Sequence, residues 1–197
     1  RILPKKVWVG TGVTGDAFSG GKASQAHIIV GTRDGFVYVL DKDGRTLTKN
    51  NEALPYNKEG RAIDIEADKA ASWYSTEDAI RQVYVDPLTP STIIIGSEDR
   101  WAYGIDYTTG ELRWKFPTNG WVQAVFSFDL NGDGKPEILL GSADKFLYIL
   151  DSEGQPIDKY DMKYPVHTVS AADIDADGCV EIVVGTDGKD LAALTFD

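Results

Sequence analysis

Hydrophobic and polar positions alternate along this chain in short bursts, and no stretch keeps the rhythm of a long amphipathic helix. Four bursts share one layout: a short apolar run closes on Gly31, Gly96, Gly141 and Gly185. In the first three units an aromatic follows five residues after the glycine, a Tyr seven after and an Asp ten after: Phe36, Tyr38 and Asp41; Trp101, Tyr103 and Asp106; Phe146, Tyr148 and Asp151. The fourth unit reads Glu181-Ile-Val-Val-Gly185 and then Leu191-Ala-Ala-Leu-Thr195. The apolar run predicts a buried strand and the aromatic-x-Tyr-x-apolar run its hairpin partner. Ile80–Val85, Trp121–Phe126 and Val166–Ala171 read as first strands, and Leu112–Phe116 and Pro156–Tyr160 as fourth strands.

The glycines lie 65, 45 and 44 residues apart, so one unit is about 44 residues with one insertion. A period of 40 to 50 with several short strands predicts an all-β fold, a β-propeller of about four four-stranded blades. The blades span roughly 10–49, 80–117, 121–161 and 166–197, and 50–79 is the insertion, polar and irregular, with room for a helical turn over Glu66–Ala71. Two architectures fit: a closed small ring, or part of a seven- or eight-bladed one completed by another chain or a second copy. Lys5–Val9 offers a strand to complete the last blade in the closed version. The chain starts at Arg1 without Met, which reads as an excised or processed piece.

Two loops inside this repeat carry chemistry. Asp129-Leu-Asn131-Gly-Asp133-Gly-Lys135-Pro-Glu137 and Asp173-Ile-Asp175-Ala-Asp177-Gly-Cys179-Val-Glu181 share the pattern Asp-x-(Asn/Asp)-x-Asp-Gly-x-x-Glu. Oxygen-bearing side chains at alternate positions, with a glycine for the sharp turn, are what a short loop needs to wrap a hard cation. An EF-hand requires a bidentate Glu at position twelve; Leu140 and Val184 stand there, between strands, so that motif is rejected. The alternative without metal is a pair of ordinary Asp/Gly turns.

These loops, with the apolar-Gly runs that follow, resemble the FG-GAP repeats of the integrin α-subunit propeller and its bacterial relatives. The resemblance covers 122–151 and 168–195. It implies that Asp129, Asn131, Asp133 and Glu137 bind through side chains and Lys135 through its carbonyl. In the second loop it implies Asp173, Asp175, Asp177 and Glu181, with the carbonyl of Cys179. An all-oxygen set favours Ca²⁺ over thiolate- or imidazole-seeking metals, and Ca²⁺ over Mg²⁺ because the wrap is flexible. Two structural Ca²⁺ ions are therefore expected, the second held more tightly by its extra carboxylate. Separately, Tyr103–Trp114 resembles the tryptophan-docking motif of quinoprotein-type propellers, which implies that Trp114 packs between blades.

Composition then removes several function classes. A net charge of −11 argues against a nucleic-acid backbone or an anionic membrane surface as partner. No apolar run reaches the length of a membrane span. One cysteine, Cys179, rules out an intrachain disulfide and leaves the compartment open, with an extracellular or periplasmic setting ahead of the cytoplasm. No catalytic residue is assigned. His27 and His167 read as structural imidazoles, no Gly-x-Ser-x-Gly elbow accompanies them, and the acidic surroundings of Cys179 disfavour a thiolate. Asp41, Asp106 and Asp151 read as turn residues bonded to backbone. Trp73 and Tyr74, in the insertion, and Trp121, at the start of a blade, are the candidate partner contacts. The expectation is a calcium-stabilised, non-catalytic binding or assembly module for a protein partner, with a glycan second. The rival is a carbohydrate-binding or polysaccharide-lyase-type propeller enzyme.

Overall fold

The computed structural model describes residues 12–14, 27–41, 45–47, 72–86, 92–188 and 191–195. Every regular element among them is a β-strand. The first sheet contains β1 (Gly12–Thr14), β2 (His27–Gly31), β3 (Phe36–Leu40) and β4 (Tyr74–Ser75), in that order. The second runs β5 (Ile80–Val85), β6 (Thr92–Ser97), β7 (Trp101–Asp106) and β8 (Leu112–Pro117). The third contains β9 (Val122–Phe128), β10 (Glu137–Ser142), β11 (Phe146–Leu150) and β12 (Pro156–Asp161). The fourth shows three described strands, β13 (Val166–Ala172), β14 (Glu181–Thr186) and β15 (Leu191–Thr195). All neighbours are antiparallel, so each sheet is an up-and-down meander, one propeller blade. The lone strand that would fit Lys5–Val9 and the helical turn at Glu66–Ala71 fall outside the described residues.

First strands of successive blades lie against one another, β1 on β5, β5 on β9 and β9 on β13, which makes them the inner strands. The cores sit between blades. Ile29, Val37 and Val39 of blade 1 pack on Ile80, Val83, Ile93 and Ile95 of blade 2. Ile94 and Ala102 of blade 2 pack on Val122, Val125 and Leu140 of blade 3, and Leu139, Leu147 and Ile149 of blade 3 on Val166, Ile182 and Val184 of blade 4. Because β-strand side chains alternate, each second strand feeds two cores with successive residues, which is why those runs are wholly apolar.

The repeated glycine makes this approach feasible. A Cβ at Gly141 would sit 2.6 Å from a methyl of Val166 on the next blade, and Gly31 and Gly96 receive Ile80 and Val122 in the same way. Opposite each of Gly96, Gly141 and Gly185 the inner strand slips register by one residue, so Arg81, Gln123 and His167 are bulged out of the ladder.

Blade 1 departs from the expected boundaries. Its fourth strand is divided: Leu47 N–H donates to Val39 O and Trp73 N–H to Val37 O, successive steps of one ladder. The described residues on either side of the insertion therefore line one strand edge, and Tyr74 and Ser75, inside the stretch read as 50–79, belong to the blade. The two halves were separated in the sequence by a gap that hides their common register.

Trp114 is buried at the contact of blades 2 and 3. Its indole lies over Gly104 of its own blade and over Gly154 in the β11–β12 turn of the next, where φ is +78° and a Cβ would fall 2.6 Å from the ring. The packing between blades implied for Trp114 is what the structure shows.

Candidate metal loops and the opposite rim

The two acidic loops join first to second strands in blades 3 and 4, between β9 and β10 and between β13 and β14. Their position-six glycines, Gly134 and Gly178, sit at φ +83° and +92°, the left-handed region in which a side chain is strained. The turn at position four is left-handed as well. Gly132 takes it in the first loop and Ala176, at φ +61°, in the second.

Backbone amides fold both loops around their acids. Asp129 accepts from Gly132 and Asp133 through Oδ1 and from Gly134 through Oδ2, at 2.8, 3.1 and 2.9 Å. Asp173 Oδ2 accepts from Gly178 at 3.1 Å. Asp133 and Asp177 each accept from the amide two residues on, Lys135 and Cys179, both at 2.8 Å. The position-nine glutamates close the loops, Glu137 Oε2 accepting from Leu130 N–H at 2.8 Å and Glu181 Oε2 from Ile174 N–H at 2.9 Å.

The loops differ in how far the acids converge. Carboxylate oxygens of Asp173, Asp175 and Asp177 lie within 4.8 Å of one another, the sole trio of His, Cys, Asp or Glu ligand atoms gathered this closely among the described residues. In the first loop Asn131 turns its amide nitrogen toward Glu137 Oε1, at 3.2 Å. Burial of Glu137, with Asp133 and Asp129 adding repulsion, holds its carboxyl above the ordinary range against the pull of the Leu130 amide. In the second loop Asp177 foremost pushes the exposed Cys179 thiol up, so it stays protonated and a poor nucleophile. A donor set of converging carboxylates with no imidazole or thiolate fits a hard cation of calcium's kind.

The turns between second and third strands and the connections between blades form the other rim. Here a recurring acid, three residues after each of the first three glycines, was not singled out as a site in the sequence. Asp99 accepts from Trp101 N–H, from the Tyr103 hydroxyl at 2.7 Å and from Glu77 N–H at 3.1 Å. Asp144 repeats this with Phe146 N–H, the Tyr148 hydroxyl at 2.7 Å and Asn119 N–H at 2.8 Å. Glu77 and Asn119 lie on the connections entering each blade, so one carboxylate ties turn, tyrosine and connection together. The signal was the recurrence of Asp34, Asp99 and Asp144, masked by how common Asp is in turns. The residue after each acid takes a positive φ, and after Gly35 in blade 1 it is Arg100 at +74° and Lys145 at +79°.

The candidate partner contacts separate. Trp121 is 45 % exposed on this rim, with the Arg81 guanidinium 5.0 Å from its ring centre and Arg81 in turn bonded to Glu98 at 2.8 Å. Trp73 is buried and its indole N–H donates to Leu47 O, so it serves the core of blades 1 and 2. The fourth-strand position that Phe116 holds in blade 2, across the ladder from the residue six after the glycine, falls to its neighbour Tyr74. Tyr74 is half-buried against Tyr103, ring centres 5.5 Å apart, and burial with Asp99 raises its hydroxyl pKa. The histidines part too. His27 is buried, bonded through Nδ1 to the Tyr107 hydroxyl, and burial lowers its pKa against the pull of Asp41. His167 is exposed and meets Asp187 at 2.7 Å. Asp41, Asp106 and Asp151 accept turn amides, as their recurrence predicts.

Comparison with known proteins starts from the sequence. Residues 93–195 match the model of the lambda-carrageenase beta-propeller domain, which is more than half of the chain. The chain belongs to this propeller family. The match spans β6 to β15 and so includes both acidic loops of the carrageenase-type propeller. No curated protein sequence matches it. Among solved structures it is similar to the crystal structure of the computationally designed Ika4 protein, with a TM-score of 0.62 and 12 % identity. That alignment covers 100 % of this chain and 95 % of the designed one, and at this identity it speaks to the fold alone.

Proposed function

We propose that this carrageenase-type propeller is a calcium-stabilised, non-catalytic binding module that meets its partner through the rim carrying Trp121. The observation that carries the calcium half is the convergence of Asp173, Asp175 and Asp177 within 4.8 Å. Three carboxylates at that spacing repel one another, and a divalent cation turns the repulsion into attraction. Asp173, Asp175, Asp177 and Glu181 would hold the ion by side chains and Cys179 by its carbonyl. Asp129, Asn131, Asp133, Glu137 and the Lys135 carbonyl would hold a second, more weakly bound ion.

Titration of Ca²⁺ into chelator-treated protein tests this. The expected result is two binding events, the tighter lost in Asp173→Ala and the weaker in Asp129→Ala. Saturation at a hundred times the dissociation constant adds about 2.7 kcal/mol to folding stability. Absence of binding heat with an unchanged unfolding curve would refute the calcium reading, and equal affinities would refute the order.

For the partner, an exposed Trp with an Arg stacked on it is the pairing that anchors protein interfaces, so a protein comes first. The name of the matching family favours a polysaccharide as the second reading, since an exposed indole face also stacks on a sugar ring. Pull-down and glycan-array binding, each repeated with Trp121→Ala, separate the two. A partner bound equally well by that variant would move the site off this rim.

A further inference from the structure

Each blade has a leading face, turned toward the blade before it, and a trailing face, turned toward the blade after it. On the trailing face the residues two before, six after and eight after the repeated glycine form the seat. In blade 1 they are Ile29, Val37 and Val39, all 0 % exposed; in blade 3 they are Leu139, Leu147 and Ile149, again all 0 %. In blade 2 Ile94 and Ala102 are equally buried, and Gly104 completes the set beneath Trp114. The glycine itself takes the β-branched residue that starts the next inner strand.

Blade 4 has the same seat, and no described residue of another blade packs on it. Its residues are Val183, Leu191 and Ala193; Val183 is half-buried, Ala193 is exposed, and Leu191 is 71 % exposed. A Cβ at Gly185 would meet Thr168 of its own blade and, among the described residues, no atom of another. The opposite side of the same sheet, with Ile182 and Val184, is fully packed on blade 3, so the exposure belongs to one face and not to a loosely formed blade.

Blade 1 carries the complementary half. On blades 2 and 3 the leading face presents Tyr103 and Tyr148, which pack on Tyr74 and Phe116 of the preceding blade. Tyr38 holds that position in blade 1, with Val30 and Leu40 beside it in a core separate from the one shared with blade 2. Asp34 aligns with Asp99 and Asp144. Its Oδ1 accepts from Thr32, while its Oδ2 is buried with no hydrogen-bond partner. The aligned Oδ2 atoms accept amides from the connection arriving from the preceding blade.

We propose that the trailing face of blade 4 docks on the leading face of blade 1 in a second copy of this chain, so that two four-bladed arcs close a ring of eight. The contact is head-to-tail, and a head-to-tail contact ends in a closed ring when its rotation closes. It continues an interface the molecule already makes three times with the same glycine seat, and twice with a tyrosine at the leading face. Val30, Tyr38 and Leu40 are buried in the single chain, so docking requires this face to open to the sheet of blade 4.

Sedimentation equilibrium or light scattering at micromolar protein tests the pairing. Wild type is expected at twice the mass of the chain. Leu191→Asp, at a position exposed in the single chain, is expected at the single-chain mass with its circular dichroism and unfolding temperature kept. A wild-type protein that stays at the single-chain mass overturns the proposal. So does a dimer that survives both Leu191→Asp and Val183→Asp, or a mass that grows without limit as concentration rises.

Discussion

Asp144 serves three donors at once, from two stretches of chain: Phe146 N–H and the Tyr148 hydroxyl on β11, and Asn119 N–H on the connection entering the blade. Replacing the acid orphans three donors, while replacing the tyrosine removes one bond and leaves the acid its other two. Tyr148→Phe should therefore cost about 1 kcal/mol, and Asp144→Ala about 2–4 kcal/mol. Urea unfolding of the two variants checks the ratio; equal losses would mean that the tyrosine, not the acid, organises the turn. Trp73 shows how context governs a single residue. Its sequence neighbours lie in an insertion, so its amide bond to Val37 was invisible until the two halves of the strand came together. Trp121 could be read in advance because Asn119-Gly120 precedes it directly at the start of a blade.

At the scale of elements, blade contacts depend on backbones lying close. Gly154 tests this, because it combines a φ of +78° with a Cβ position 2.6 Å from the Trp114 ring. Gly132, at φ +75° with nothing within 4 Å, has the conformational requirement without the contact. With both variants measured in chelator, Gly132→Ala should cost about 1 kcal/mol and Gly154→Ala roughly 2–4 kcal/mol. Guanidinium unfolding followed by tryptophan fluorescence measures both, and a Gly154 variant no worse than the Gly132 one would remove the packing explanation. The strands themselves were largely legible: Ile80–Val85 has the predicted bounds, and β9 and β13 differ from theirs by one or two residues at an end. The bulges at Arg81, Gln123 and His167 were not, because a one-residue slip leaves the alternation of the flanking residues readable on either side.

For the whole molecule, the repeat period told more than any motif, since four apolar-Gly runs at a common spacing leave few folds available. The acidic loops were legible as ligand patterns, but not the difference between them. Both read as complete, yet the close trio of carboxylates forms in the second alone, because Asn131 stands where Asp175 does. The divided strand of blade 1 has a consequence for engineering. Leu47 and Trp73 donate to Val39 and Val37 of the same strand, β3, so the described residues on the two sides of the insertion lie along one edge. A chain joined directly from Leu47 to Ser72 should keep cooperative unfolding and its blade contacts, as thermal melts and amide exchange at Val37 and Val39 would report. Loss of the fold would show that the removed segment supports it. If the shortened chain folds, the junction is a cassette: foreign sequence could be spliced into the propeller there, or the chain reopened there with new termini.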